Sequence, residues 1–159
     1  MDTISKERRS ENMRRIRSKD MAPELLVRKL AHGMGFRYRL HSASLPGKPD
    51  MVFPRLRKLI FVHGCFWHQH QSPKCGISRI PKSNRRYWIP KLRRNRERDM
   101  ENLKALRALG WETLLVWECE TGRSGRVARK LQRFLEHTAA KGKRPNSPKL
   151  PSREQSRRP

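Results

Sequence analysis

The chain is short of acid. Fourteen aspartates and glutamates stand against 39 lysines and arginines, a formal charge of +25 spread along the whole sequence. A field of that sign points to a polyanionic partner, most simply nucleic acid. A basic protein without such a role is the plainer alternative. Cysteine is also scarce, with three in 159 residues. So small and odd a count argues against a disulfide framework and fits a reducing compartment. Apolar residues make up only 35% of the chain, below the usual globular share, and no apolar run approaches the length of a membrane span. A secretory h-region is missing too, so the expected location is cytoplasmic. No internal repeat appears, and the length fits one domain.

Against that background, one stretch concentrates reactive side chains. RKLIFVHGCFWHQHQSPKC (57–75) opens as an apolar run and breaks into three of the six histidines and two of the three cysteines. Its surroundings read as alternating elements. Residues 3–19 form a basic segment with helical propensity and too few apolar members for a core, either a surface helix or an arm that orders on DNA. A helix follows, with Asp20 as N-cap, Pro23 and Glu24 in its first turn, and a stripe of Leu25, Leu26, Leu30 and Met34. Phe36, Tyr38 and Leu40 alternate with basic residues, which predicts a half-buried strand. Residues 50–53 and 58–62 predict a hairpin whose second strand is apolar enough to be central. A helix over 89–109, striped by Leu92, Met100, Leu103, Leu106 and Leu109, leads to a strand at 111–117. A crossover of that length predicts parallel pairing with 58–62. A last helix, about 123–138, carries Val127, Leu131, Phe134 and Leu135. The expected fold class is α/β, a mixed sheet flanked by helices.

The chemistry sorts by donor type. Cys65-x4-His70-x4-Cys75 is a compact soft-ligand set, and Cys119 lies just past a strand that could neighbour 58–62. Three thiolates and an imidazole suit a closed tetrahedral zinc site, with three buried free cysteines as the plainer alternative. His63 and His68 are then left for catalysis. Asp50, opening the paired strand, could bind a hard cation such as Mg²⁺, or could merely close a turn. A phosphodiester nuclease needs such a metal and a base to activate water. Asp99 shares a helix face with Asn95 and could orient a catalytic histidine, or could belong to a solvated face. Phe66, Trp67 and Trp88 suit stacking on or wedging between bases, or simple packing over the loop.

Four stretches, LPGKPD (45–50), FVHGCFWHQH (61–70), NRERD (95–99) and LGWETLLVWEC (109–119), together with SENMRRIRSKDMAPE (10–24), closely resemble the very-short-patch-repair (Vsr) DNA mismatch endonucleases. The resemblance covers about residues 8–138. It implies a restriction-endonuclease-like fold whose usual Glu-x-Lys half is replaced. It also implies a strand-specific nick on the 5′ side of thymine in a T·G mismatch, the lesion left by deamination of 5-methylcytosine. By position it implies Asp50 and the backbone carbonyl of Val62 as Mg²⁺ ligands, with Glu24 holding water of the metal's shell. His68 becomes the general base, Asp99 its orienting carboxylate, and His63 an assistant at the scissile phosphate. Cys65, His70, Cys75 and Cys119 match structural zinc ligands. Phe66, Trp67 and Trp88 match aromatics that wedge into DNA, and Met13 would insert from the minor groove. Val62 replaces a threonine found in the family, a change that a main-chain ligand tolerates. The implied division is a DNA-contacting arm (1–19), an endonuclease domain (20–138) and a basic tail (139–159). The implied setting is a monomer in a bacterial cytoplasm, associated with the nucleoid. Its partners there are T·G-mismatched double-stranded DNA, mismatch-repair proteins and a cytosine-5 DNA methyltransferase. Two rival readings use the same residues: a non-catalytic zinc-stapled DNA-binding module, and a restriction-type nuclease cutting matched DNA.

Overall fold

The computed structural model describes residues 21–137. The arm at 1–19, with Met13, and the tail at 139–159 lie outside the described residues. In chain order the elements are helix α1 (Ala22–Gly33), strands β1 (Arg39–Leu40), β2 (Met51–Phe53) and β3 (Lys58–His63), helix α2 (Arg85–Ala108), strand β4 (Glu112–Trp117) and helix α3 (Ser124–Glu136). One sheet runs β1-β2-β3-β4. The first two pairings are antiparallel and the third is parallel; the hairpin predicts the second and the long crossover helix the third.

β3 is central because it is apolar on both faces. Leu59 and Phe61 join Val52 and Leu106 in a cluster on the α2 side. Ile60 joins Met51, Phe53, Val116 and residues of α1 and α3 on the other side. The sheet is thus sandwiched between α2 on one face and α1 with α3 on the other. The β2–β3 turn is a short 3₁₀ segment, Pro54–Leu56, closed by Arg57 in the left-handed region (φ 56°). Arg57 then pins the start of β4. Its carbonyl accepts the Glu112 N–H at 2.9 Å, its guanidinium donates to the Leu109 carbonyl at 2.6 Å, and it lies 4.5 Å over the Trp111 ring. Lys58 is a buried cation in this strand. Its ammonium donates to the carbonyls of Phe134 and His137 at the end of α3, where the helix dipole favours positive charge.

Several expectations need correction. Asp20 lies outside the described residues, and α1 is capped at Met21, without a side-chain cap. The buried face of α1 is Glu24, Val27 and Ala31, while Leu25 is 48% exposed. Leu30 and Met34 do pack against the core from the edge of that face. The leucine stripe therefore misjudged the helix rotation, because the helix turns a carboxylate inward. β1 is two residues long; Phe36 and Tyr38 precede it and pack edge-on against Phe53. α2 starts one turn earlier than Ile89, with Pro90 inside it and Trp88 in its first turn rather than in the preceding loop. Only Leu92 and Leu106 of its predicted stripe are buried, and Leu103 is half-buried against the same cluster. Met100 and Leu109 face solvent. No helix among the described residues is long and apolar enough to cross a membrane.

The corrected face of α2 makes a direct prediction. Leu106→Ala empties a fully buried position and should lower unfolding free energy in urea by about 2–5 kcal/mol. Met100→Ala, at a position 66% exposed, should change it by no more than about 0.5 kcal/mol.

Candidate functional site

Asp50 is delivered by a tight loop. Gly47 (φ 74°) and Lys48 (φ 51°) both lie in the left-handed region. At Gly47 a Cβ would come within 3.1 Å of Phe61 and Asn102, so the position needs glycine for both torsion and space. The chain then passes through buried Pro49 to Asp50, which stands just ahead of β2. Asp50 Oδ2 accepts the Val62 N–H at 2.7 Å. A strand residue turns its N–H and C=O toward the same edge, so the Val62 carbonyl also leaves β3 on the Asp50 side. Burial pushes the Asp50 carboxyl up to about 6; the Val62 hydrogen bond opposes this and the charge of Glu24 adds to it.

Glu24 arrives from the first turn of α1 and is buried. Arg28, one helical turn later, donates to it. His41 approaches from beyond β1, its Nε2 3.3 Å from Glu24 Oε1. One donor atom each from Glu24, His41 and Asp50 lie within 4.8 Å of one another.

A second group sits at the end of β3. His63 and His68 stack face to face, centroids 3.8 Å apart. His68 Nδ1 lies 2.6 Å from Asp99 Oδ2, which reaches down from α2. The carboxylate fixes the proton on Nδ1 and leaves Nε2 as the basic nitrogen. His63 is held neutral: burial lowers its pKa to about 4, His68 adds to the fall and Asp99 opposes it. Asp50, Val62, His63, His68 and Asp99 all line one cleft of about 750 Å³.

The sulfur cluster assembles across two loops. Cys65, His70, Cys75 and Cys119 bring one donor atom each within 4.8 Å of one another. His70 Nδ1 is 3.7 Å from the Cys65 sulfur and 3.3 Å from that of Cys119. Burial pushes the Cys65 thiol up to about 12. Burial also acts on Cys75, but hydrogen bonds from His70 and from the Ser78 and Ile77 backbone outweigh it and bring that thiol down to about 6. The loops are tied together by the turn after β4. Glu118 Oε2 accepts the Cys65 N–H at 3.1 Å, and the Cys119 N–H donates to the Cys65 sulfur at 3.4 Å. Glu120 accepts the Trp117 N–H and pairs with Lys130 of α3. Trp117 stacks on His70 at 4.3 Å and meets His63 edge-on at 5.3 Å.

Beside the cleft lies a cluster of half-buried aromatics. Phe66 meets Trp67 at 5.0 Å and Trp88 at 5.2 Å, both edge-on. Tyr87 extends it, 5.0 Å from Trp88. Asn95 donates to the Trp67 carbonyl at 3.2 Å, holding the loop to α2.

The residues expected from sequence therefore gather as four groups, three of donor side chains and one of aromatics, apart from Met13, which lies outside the described residues. His41 and Arg28 were missed. The signal for His41 was the β1–β2 register, which sets it opposite Asp50; that for Arg28 was its i+4 spacing from Glu24.

Residues 1–74 match the sequence profile of the family described as DNA mismatch endonuclease Vsr. The chain is 47% identical over 135 residues to Type II nicking enzyme V.XorIIP of Xanthomonas oryzae pv. oryzae, spanning 85% of this chain and 97% of that one. It is 39% identical over 134 residues to Type II nicking enzyme V.NmeAIP of Neisseria meningitidis, spanning 84% and 94%. To DNA mismatch endonuclease Vsr of Escherichia coli it is 42% identical over 118 residues, 74% of each chain.

The raised pKa of Asp50 sets a pH dependence. Protonation of a group whose folded pKa is about 6 against an ordinary 3.8 favours the folded state below the ordinary value. That contribution is lost as pH rises through about 6. Asp50→Asn should therefore stabilise the metal-free protein at about pH 8 by roughly 1–3 kcal/mol and leave it nearly unchanged near pH 4, read from urea midpoints at the two pH values.

Proposed function

The chain belongs to the Vsr family of DNA mismatch endonucleases, and we propose that it nicks one strand of double-stranded DNA on the 5′ side of the thymine in a T·G mismatch. The observation that carries this reading is the single cleft shared by Asp50, Val62, His63, His68 and Asp99. A carboxylate and a main-chain carbonyl beside it are the hard donors that Mg²⁺ takes. Held there, with Glu24 at its margin, the cation supplies charge stabilisation at the phosphate oxygens. His68 takes the proton of the attacking water through Nε2, since Asp99 engages Nδ1 at 2.6 Å. His63, kept neutral by burial, lies against the scissile phosphate as an uncharged hydrogen-bonding ring. A non-catalytic module would leave the His68–Asp99 pair without a role. Two of the relatives are nicking enzymes and a third is a mismatch endonuclease, which favours a strand-specific cut over cleavage of both strands of matched DNA.

The sulfur cluster fits zinc: three thiols and one imidazole form a closed tetrahedral donor set. Its work is structural, fixing the loop that carries His68, Phe66 and Trp67. Phe66, Trp67 and Trp88 form the wedge that enters DNA beside the mismatch. A carboxylate opening one strand, a histidine past the end of the next and helices on both faces support a restriction-endonuclease-like fold. In it His68 takes the part of the usual Glu-x-Lys half. The protein acts as a monomer in a bacterial cytoplasm, alongside mismatch-repair proteins and a cytosine-5 methyltransferase.

Nicking is tested by incubating the protein and Mg²⁺ with duplexes that carry T·G or T·A in several sequence contexts. The expected product is one nick, only in T·G duplexes, absent with Asp50→Ala and His68→Ala. Asp99→Asn should retain about 1% of the wild-type rate or less, the usual scale for disabling a general base. Double-strand cleavage of T·A duplexes would sink the mismatch reading.

For zinc, the expected result is one ion per chain by elemental analysis, lost in Cys119→Ala together with thermal stability. A purified, folded protein with no zinc would remove the cluster's assigned role.

A further inference from the structure

The geometry around Asp50 contains more donors than the proposed reaction uses. His41 follows β1, and its N–H donates to the Asp50 carbonyl at 3.3 Å, which extends the β1–β2 ladder by one pair. His41 then leaves the ladder in the left-handed region (φ 45°), a conformation that a non-glycine residue adopts at an energetic cost. The turn brings its ring to Glu24.

The hydrogen-bond roles there are fixed by Arg28. A guanidinium only donates, and Arg28 Nη2 lies 2.7 Å from His41 Nε2. His41 Nε2 is therefore an acceptor, a lone pair on a neutral ring. The same Nη2 donates to Glu24 Oε1. Two acceptors, Nε2 and Oε1, thus stand 3.3 Å apart and converge on one cationic nitrogen. Two lone pairs so close repel unless a positive charge lies beside both. Asp50 belongs to the same donor group, within 4.8 Å. Three elements supply it: α1, the turn after β1 and the start of β2.

We propose that the Asp50 site is a mixed nitrogen–oxygen cation site. His41 Nε2 is a direct side-chain ligand beside Asp50, and the Arg28 guanidinium is a resident counter-cation that a divalent ion displaces. The proposal rests on the reading that Asp50 binds a divalent cation, and it specifies which ion the site prefers. Mg²⁺ takes oxygen donors and gains little from imidazole. First-row transition ions gain more from a nitrogen ligand. The site should therefore discriminate in favour of Mn²⁺, and a bound guanidinium should weaken every divalent ion by competing for the same donors.

The test uses full-length, zinc-loaded protein without DNA, so that the sulfur cluster is filled and catalysis plays no part. Mn²⁺ is titrated by electron paramagnetic resonance, Mg²⁺ by competition against it, and pulsed spectra read nitrogen coupling to bound Mn²⁺. The wild type should show coupling to one directly bound ¹⁴N. His41→Gln should lose it and bind Mn²⁺ at least about tenfold more weakly, the lower end of what a metal partner is worth, with a smaller change for Mg²⁺. Arg28→Gln should bind both ions more tightly. Absence of nitrogen coupling in the wild type overturns the proposal without recourse to any variant. So does coupling that survives in His41→Gln, or ion affinities unchanged in Arg28→Gln. Asp50→Ala separates the two levels. If it abolishes Mn²⁺ binding while the wild type shows no nitrogen coupling, only the role of His41 falls. If Mn²⁺ binding survives it, the cation site itself is misplaced.

Discussion

The parallel pairing of β3 with β4 is the constraint on which the rest of the site depends. It runs in unbroken register from Lys58 opposite Glu112 to His63 opposite Trp117. Parallel strands end on the same side, so the loop after His63 and the turn after Trp117 emerge next to each other. The Cys65–His70–Cys75 loop meets Cys119 there, and Glu118 can reach the Cys65 backbone. Reversing β4 would carry Cys119 to the far end of the strand, about 17–20 Å away at roughly 3.3 Å per residue. The same pairing obliges the chain to cross over as α2, and the crossover sets Asp99 and Asn95 above the histidine loop. One backbone arrangement therefore positions the sulfur donors, the stacked histidines and the carboxylate paired with His68 together.

Charge is distributed on the same plan. A chain of net charge +25 has few carboxylates, and Glu24, Asp50, Asp99, Glu118 and Glu120 all stand at this end of the sheet. Each has a named partner there: an arginine, a backbone N–H, a histidine or a lysine. At Asp50 two electrostatic effects compete. The Val62 hydrogen bond and the charge of Arg28 favour the carboxylate, yet burial outweighs them and the pKa rises. The site thus holds a carboxyl group that gains more from a bound cation than a solvated one would, because water no longer stabilises its charge.

The grouping of the motif residues and the pairing of β2, β3 and β4 were legible in the sequence, because both rest on local spacing. The apolar run at 58–62, the hairpin turn and the long crossover gave the sheet and its mixed pairing. The ligand spacing of Cys65, His70 and Cys75 gave the cluster. Helix rotation was not legible. The leucines of α1 form a plausible stripe, but the helix turns Glu24 inward and leaves Leu25 in solvent, since what a helix faces is decided by its tertiary neighbours. The early start of α2 was missed because Pro90 reads as a helix beginning, whereas here it sits within the second turn. His41 was missed because a lone histidine after an alternating strand carries no signal until the register sets it against Asp50 and the left-handed turn aims its ring.

The position of β4 in the chain gives the parallel pair a consequence in time. Translation completes β3 and the Cys65–Cys75 loop early, yet their partners, β4 and Cys119, come only after all of α2 has been made. Throughout that interval the buried strand β3 has one edge unpaired, and three members of the sulfur cluster lack the fourth. A nascent or truncated chain that stops short of β4 is therefore both sticky and unassembled, and the site can come into being only late in synthesis.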